Sequence, residues 1–205
     1  MIIATDRPAA VHISTMTGKL AGLQAINSNT LSNGFCSTMR KTDSICKVCY
    51  SAAMLSGSRK NCAPSFERNS VLLSAALIPV DRMPYINASI FRFHGHGELI
   101  NAIHLENIYR IAEKNPATTF TLWTKRRDLI RTGRARPDNF ILIYSNPSLA
   151  KLMTKPPARF DKVFNNVRAE YTGPANCTGQ KCIDCQLCYT PGGQSVIIEH
   201  VKRRS

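Results

Sequence analysis

Apolar residues recur in short runs along the chain, and from residue 89 onward these runs alternate with segments of helical spacing. Short runs rich in β-branched and aromatic residues predict strands, whereas apolar positions three and four residues apart predict helices. The alternation is typical of β/α units, in which helices pack over a parallel sheet. The predicted strands are 10–13, 89–94, 118–123, 139–144, 161–167 and 195–201, and the predicted helices are 65–77, 101–113 and 147–152.

This pattern predicts an α/β fold, an open or partial (β/α) barrel of about five or six units. The 205 residues suit a single domain, 1–205, with cysteine-rich loops at 34–62 and 173–193. Functional groups of such a fold lie where strands end and loops begin, so both loops are expected at strand ends. An open barrel leaves sheet edges to be covered, and a homodimer is the natural way to cover them.

The distribution of apolar residues also bears on the cellular compartment in which the protein is expected. No stretch approaches the ~20 apolar residues of a membrane span, and residues 1–9 lack the layout of a secretory signal. We therefore expect no membrane association and a reducing cytosol. In that compartment the eight cysteines indicate metal ligands or reactive thiols more readily than disulfides.

Basic residues outnumber acidic ones, 27 to 13, which gives a formal charge of +14. Such an excess attracts polyanions, so nucleic acid is a candidate partner. Two other interpretations stay open, because the charge could neutralise a metal-thiolate centre or belong to a solvated helix and loop. The densest patch consists of Lys125, Arg126, Arg127, Arg131, Arg134 and Arg136.

Four cysteines near the end of the chain carry the most specific signal. Their spacing, C-x4-C-x2-C-x2-C, resembles the run of bacterial ferredoxins, in which consecutive turns present sulfurs to one [4Fe-4S] cluster. Zinc is the alternative metal, since four thiolates suit a tetrahedral site, although zinc ligand pairs usually come from two separated turns. Unliganded structural cysteines are the third interpretation. The predicted ligands are Cys177, Cys182, Cys185 and Cys188.

Three further cysteines, Cys36, Cys46 and Cys49, form a second predicted metal group near the start of the chain. No fourth cysteine lies nearby except Cys62. Three thiolates would leave one iron of a cluster open to substrate, as in a catalytic centre. Alternatively, one or two of them complete the site begun by the C-terminal group. One or two clusters are thus compatible with the sequence.

A strand that runs into a glycine-rich turn lies between the two groups. Gly95, Gly97 and Glu98 resemble the turn with which radical S-adenosylmethionine enzymes bind the amino group of their cofactor. In that resemblance Cys36, Cys46 and Cys49 would be the cluster loop. The first gap is nine residues instead of three, and Val48 stands where those enzymes have an aromatic residue, so S-adenosylmethionine is only one candidate cofactor.

Two histidines of the same segment, His94 and His96, could bind metal or shuttle protons, or they could simply be hydrogen-bonded in a loop. Lys125 ends the next predicted strand and could face the same site, and Ser145 and Asn146 follow the third. The alternative for Lys125 is a solvated side chain.

Several short motifs follow one another along most of the chain. In order they are Cys-x2-Cys-Tyr, an Arg-Phe strand leading to Gly-Glu, Ile-Ala-x-x-Asn-Pro, Trp-Thr-Lys, a strand ending Tyr-Ser, and the terminal cysteines followed by an apolar strand ending in His200. This order resembles a phage-encoded family, gene product 88. The resemblance implies an iron-sulfur protein of viral origin that is distantly similar to radical S-adenosylmethionine proteins, working in the host cytosol. It implies no particular reaction.

Three functions follow as hypotheses. The first is a redox or radical-type enzyme with a [4Fe-4S] cluster, acting on an unidentified substrate. The second is a non-enzymatic protein that transfers electrons or senses redox state. The third is a nucleic-acid-binding protein in which the metal is structural.

Overall fold

The computed structural model describes residues 10–201, and one seven-stranded sheet forms its centre. The strands follow one another across the sheet in chain order. The first pair is antiparallel and every later pair is parallel, and the sheet is not closed, because β1 and β7 form its two edges. The strands are β1 Ile13–Thr15, β2 Gln24–Ile26, β3 Ile90–Phe93, β4 Thr119–Thr124, β5 Phe140–Ser145, β6 Lys162–Val167 and β7 Val196–His200.

Helices occupy most of the connections between these strands. The α-helices are α1 Gly34–Met39, α2 Tyr50–Ser56, α3 Ala63–Ala75, α4 Ala102–Lys114, α5 Arg127–Thr132 and α6 Cys182–Cys185. Short 3₁₀ turns cover Gly18–Leu20, Ile45–Val48, Lys60–Cys62 and Val80–Arg82. No helix within residues 10–201 has both the length and the apolar character needed to cross a bilayer.

Both faces of the central strands are buried. In β5, Phe140 and Leu142 belong to the apolar cluster that includes α3 and α4, whereas Ile141 and Ile143 belong to a second cluster on the opposite face. That second cluster includes residues of the C-terminal cysteine loop and Leu23, from the end of the β1–β2 connection. Strands buried on both faces appear in the sequence as unbroken apolar runs, as FILIY does.

The structure confirms β3 to β7 and helices α3 and α4 to within about two residues. Sequence signals at the ends of α4 explain this agreement. The Asn101 side chain caps its start by accepting a hydrogen bond from the His104 backbone N–H at 2.9 Å. Lys114 is its last residue, and Asn115 and Pro116 follow.

Other predictions were wrong in part. The early strand lies at Ile13–Thr15 instead of 10–13, and no helix forms over 147–152. Side chains hold that segment as a loop: the Asn146 amide donates to the Lys151 carbonyl at 2.8 Å, and its oxygen accepts from the Ser148 N–H at 3.1 Å. The β5–β6 connection therefore contains no helix, and the β6–β7 connection contains only α6, so these two units are incomplete.

Candidate functional site

Polar residues collect where parallel strands end. Glu98 follows β3, Lys125 follows β4, and Ser145 is the last residue of β5. The Lys125 ammonium donates to the Ser145 hydroxyl at 3.0 Å, and the Lys125 backbone N–H donates to Glu98 Oε2 at 2.8 Å. The prediction that Lys125 faces a site at the strand ends is consistent with these contacts.

The three N-terminal cysteines lie in the β2–β3 connection, each next to a short helical turn. Cys36 is in α1, where its N–H donates to the capping Asn33 side chain at 3.2 Å. Cys46 is in the 3₁₀ turn that Ser44 caps in the same way, also at 3.2 Å. Cys49 immediately precedes α2. Side-chain caps therefore fix the turns that carry Cys36 and Cys46, whereas the helix after Cys49 has no such cap.

The three thiols share one electrostatic environment with Lys125 and Glu98. Burial raises the pKa of Cys36 to about 12; the Glu98 carboxylate and the other two thiols also raise it, whereas Lys125 lowers it. Burial likewise raises the pKa of Cys46, and Lys125 again opposes the shift. Burial would lower the pKa of Lys125, but the thiols and Glu98 raise it above its usual value. The structure thus brings the N-terminal group to the polar strand ends.

The glycine-rich turn is tightly packed. Gly97 has a positive φ of 93°, and a Cβ at this position would overlap the hydroxyl and carbonyl of Ser28. A Cβ on Gly95 would meet the Met16 side chain, and the Gly95 carbonyl accepts a hydrogen bond from the Tyr50 hydroxyl at 2.6 Å. Contact with the Ser28 backbone requires glycine at position 97, whereas at position 95 the nearest atom is the end of the flexible Met16 side chain, which can move aside.

The carboxylate of Glu98 is buried and bonded within the protein. It accepts from the Thr124 hydroxyl at 2.5 Å and from the backbone N–H groups of Leu99 and Lys125, both at 2.8 Å. Burial raises its pKa, while Lys125 and these hydrogen bonds act in the opposite direction. A ligand amino group would therefore have to share this carboxylate with three donors.

His94 and His96 have different surroundings. The His96 Nδ1 lies 2.9 Å from the Ser51 hydroxyl, and its ring packs on Tyr50 and Phe66. Burial lowers the pKa of His94, and a weak bond to the Trp123 backbone opposes this shift, but neither ring nitrogen forms a hydrogen bond of ordinary geometry with a described residue. The His94 ring meets His104 edge-on, with centroids 5.2 Å apart. The sequence left open whether His96 binds metal, shuttles protons or is hydrogen-bonded in a loop, and these contacts favour the last description.

The four C-terminal cysteines line one small cavity of about 20 Å³. Burial raises the pKa of Cys188 to about 12, and Cys177, Cys182 and Cys185 raise it too, so the four thiols act on one another. Among the described residues that line the cavity there is no N-terminal cysteine. The cavity is therefore formed by the C-terminal group without the N-terminal one.

The loop that carries this group is anchored to the sheet. The Cys177 N–H donates to the Ile198 carbonyl at 3.0 Å, which ties the start of the loop to β7. Ile183 and Leu187 pack with Ile141 and Ile143 beneath the sheet. The loop thus serves as the cover of the second sheet face.

The thiols do not converge on a single point. Within residues 10–201, no group of three or more His, Cys, Asp or Glu side chains is arranged to hold one metal ion. Tetrahedral zinc needs four sulfurs at about 2.3 Å from one centre, whereas the four irons of a cubane take their thiolates at separate corners. Either a zinc ion or a cluster would therefore require the four thiols to move from the positions described.

Acidic side chains neutralise much of the basic patch. Arg126 pairs with Asp128 at 2.7 Å, Arg134 pairs with two glutamates, and Arg136 pairs with Asp161 at 2.5 Å. Arg127 and Arg131 form no ion pair with a described residue. The patch offers a polyanion less free charge than its composition indicates.

Sequence reasoning missed several residues around the cysteine groups. Three of them are cations near the C-terminal group: Lys19, Arg92 and Lys162. A fourth is Tyr50, whose pKa is lowered by Arg92 and raised by Cys49. A charged residue inside an apolar run was the available signal for Arg92, in Phe-Arg-Phe. No local pattern distinguishes Lys19 or Lys162.

The fold and site together define an α/β protein with an open seven-stranded sheet, polar strand ends and two separate cysteine groups. Residues 5–186 match the family described as Gene product 88, and the chain belongs to that family. This agrees with the phage resemblance noted from the sequence. No curated protein and no solved structure matches the chain.

Proposed function

We propose that this chain is an iron-sulfur protein in which Cys177, Cys182, Cys185 and Cys188 bind a [4Fe-4S] cluster, and that it acts as a redox or radical-type enzyme. The observation that carries the proposal is the single cavity that the four thiols line beneath the apolar sheet face. A bound cluster supplies one-electron chemistry at a potential set by its surroundings. The cavity of about 20 Å³ has room for little more than a water molecule, so the four thiols must move apart to surround a cluster.

The N-terminal group supports the enzymatic part of the proposal. Three thiols beside Lys125, Glu98 and Ser145 combine ligands for a cluster with polar groups that could bind a substrate. Three protein ligands would leave one iron open. A pure electron carrier has no need for such a polar site, so the arrangement favours an enzyme over a carrier.

A contact between distant parts of the sheet supports a curled, partial-barrel shape. Lys19, in the connection between β1 and β2, pairs with Glu199 of β7 at 2.5 Å. These elements lie near opposite edges of the sheet order. Curling would bring both cysteine loops toward one side of the sheet.

Metal content of matched variants tests the proposal. Anaerobically purified wild type, Cys182→Ala, Cys46→Ala and the control Cys62→Ala would be assayed for iron and by electron paramagnetic resonance. We expect partial iron loss in each of the first two and none in the control. Complete loss in both would show one shared site, and colourless protein with stoichiometric zinc would contradict the cluster assignment.

Reaction with S-adenosylmethionine tests the radical-type alternative separately. Loaded protein with a strong reductant should release 5′-deoxyadenosine if the cofactor is cleaved at the N-terminal group. If S-adenosylmethionine is not cleaved, and calorimetry also detects no binding, the radical-type chemistry is eliminated and the redox function is left. To bind Glu98, the amino group of S-adenosylmethionine would have to compete with the three donors already bonded to this carboxylate.

A further inference from the structure

Three cations lie around the C-terminal cysteine group, and two of them lack an acidic partner. Lys19 is bonded to Glu199 at 2.5 Å and to the Cys177 sulfur at 2.7 Å. Arg92 and Lys162 form no ion pair with any residue in the described range, 10–201. Of these three cations, only Lys19 is therefore paired directly with a carboxylate of the described residues.

Arg92 is held in a fixed position beside the group. Its guanidinium carbon lies 3.6 Å from the centroid of the Trp123 ring, and its Nη1 donates to the Tyr189 hydroxyl at 3.4 Å. Tyr189 directly follows Cys188, and both pack with Trp123 in the second apolar cluster. The Arg92 Nε is buried with no hydrogen-bond partner among the described residues.

Lys162 approaches the same group from β6. The residue is 1% exposed, and its ammonium donates to the carbonyls of Gly192 and Gln194, at 2.8 and 3.0 Å, where the cysteine loop ends. Its electrostatic neighbours are Cys188 and Asp161, and Asp161 is already bonded to Arg136. Lys162 thus adds a second uncompensated charge.

Burying a cation without an anion is costly, and protonated thiols supply no negative charge. Four thiolates on a cubane of the usual oxidation state supply a net charge of about −2, which matches two unpaired cations. We infer that Arg92 is a counter-charge of the centre at Cys177, Cys182, Cys185 and Cys188 and raises its reduction potential. This inference rests on the proposed function.

The direction of the effect follows from charge. Reduction adds one electron, taken from a one-electron donor, and makes the cluster more negative. A cation nearby stabilises the reduced form more than the oxidised form, so the potential rises. Removing that cation must lower the potential, and a cationic replacement must restore most of it.

A redox titration of the reconstituted protein, poised with dithionite and mediators and followed by absorbance and electron paramagnetic resonance, tests the inference. The variants are Arg92→Gln, Arg92→Lys and the control Arg127→Gln, whose guanidinium carbon lies 5.5 Å from the Tyr144 ring centroid. In Arg92→Gln we expect about tenfold less reduced cluster at a fixed potential, equivalent to about −59 mV for one electron. Arg92→Lys should keep most of the wild-type potential, and Arg127→Gln should equal it.

The outcomes separate the two proposals. Wild type that takes up no iron and sulfide, or only zinc, overturns the proposed function and this inference together. Loaded wild type with equal potentials in all variants overturns this inference alone. If Arg92→Lys shows the same potential as Arg92→Gln, or loses the cluster as that variant does, then packing of Arg92 on Trp123 matters more than its charge. That result also overturns this inference. Loss of the cluster in Arg92→Gln but not in Arg92→Lys supports it.

Discussion

The ammonium of Lys19 lies 2.7 Å from the sulfur of Cys177, although 158 positions separate the two residues. The same ammonium pairs with Glu199, so one side chain joins the β1–β2 connection, the cysteine loop and β7. Burial would lower the pKa of Lys19, but its bonds to Cys177 and Glu199 outweigh burial and hold that pKa above its usual value. Lys19 is therefore charged at every physiological pH.

Replacing Lys19 with methionine should loosen this junction. The side chain is 20% exposed, and Lys19→Met removes a charged hydrogen bond and an ion pair, so we expect the free energy of unfolding to fall by about 1–2 kcal/mol. Urea denaturation of the metal-free protein measures the change. Lys41→Met, at an exposed position, is the control and should leave the midpoint unchanged. Equal midpoints for both variants would contradict the role of Lys19.

Gly97→Ala should destabilise the protein because of crowding as well as backbone strain. Gly97 and Gly179 both have positive φ, 93° and 102°, but a Cβ would overlap Ser28 only at Gly97 and would meet open space at Gly179. We expect a loss of about 1–2 kcal/mol for Gly179→Ala from strain alone and at least about twice that for Gly97→Ala. Thermal unfolding of both variants checks this. Similar losses would show that the contact with Ser28 relaxes freely.

Acid should destabilise the fold through His104. Burial lowers the pKa of this ring to about 3, so the unfolded chain binds a proton that the folded protein rejects. The contribution to stability is complete above the ordinary histidine pKa of about 6.5 and is lost toward pH 3, at up to about 1.4 kcal/mol per pH unit. His104→Gln should reduce this slope by up to that amount, measured by urea denaturation at pH 7, 5 and 4, while His94 and His96, whose pKa values burial also lowers, keep part of it. The exposed His200→Gln is the control, and an unchanged slope in His104→Gln would refute the assignment.

Cluster binding should protect the cysteine loop from protease. Lys181 is exposed and immediately precedes α6, so trypsin can cut between it and Cys182 when the loop opens. Ligands that bind the folded loop suppress opening, and we expect at least about tenfold slower cleavage at Lys181 after reconstitution. Exposed Lys151, in the β5–β6 loop, serves as the internal control in the same digest. Equal slowing at both sites would indicate general stabilisation, and no slowing would place the metal elsewhere.

Local pattern sufficed for much of the fold, and its failures have physical causes. Strands such as Phe140–Ser145 were predictable because burial on both faces produces an apolar run. The three-residue strand Gln24–Ile26 was missed because its register depends on pairing with β3, which its own residues do not encode. The false helix at 147–152 has helical propensity, but the Asn146 and Asn165 side chains hold it as a loop.

The candidate site divides in the same way. Cysteine spacing predicted two groups, and the strand-end rule predicted a site near Glu98 and Lys125. Lys162 carries no local signal, and the only signal for Arg92 was its charge inside an apolar run. That neither residue forms an ion pair with a described residue became visible only in three dimensions. Separation of the two groups likewise depends on where the loops return to the sheet.

Acid-labile sulfide in anaerobically purified protein is the most direct test of the central claim, because only an iron-sulfur cluster contains inorganic sulfide. The account predicts sulfide and iron in equal amounts in wild type, with both reduced in Cys188→Ala and unchanged in Cys62→Ala. Stoichiometric metal without sulfide, or sulfide that survives in Cys188→Ala at the wild-type level, would contradict a cluster at the C-terminal cysteines.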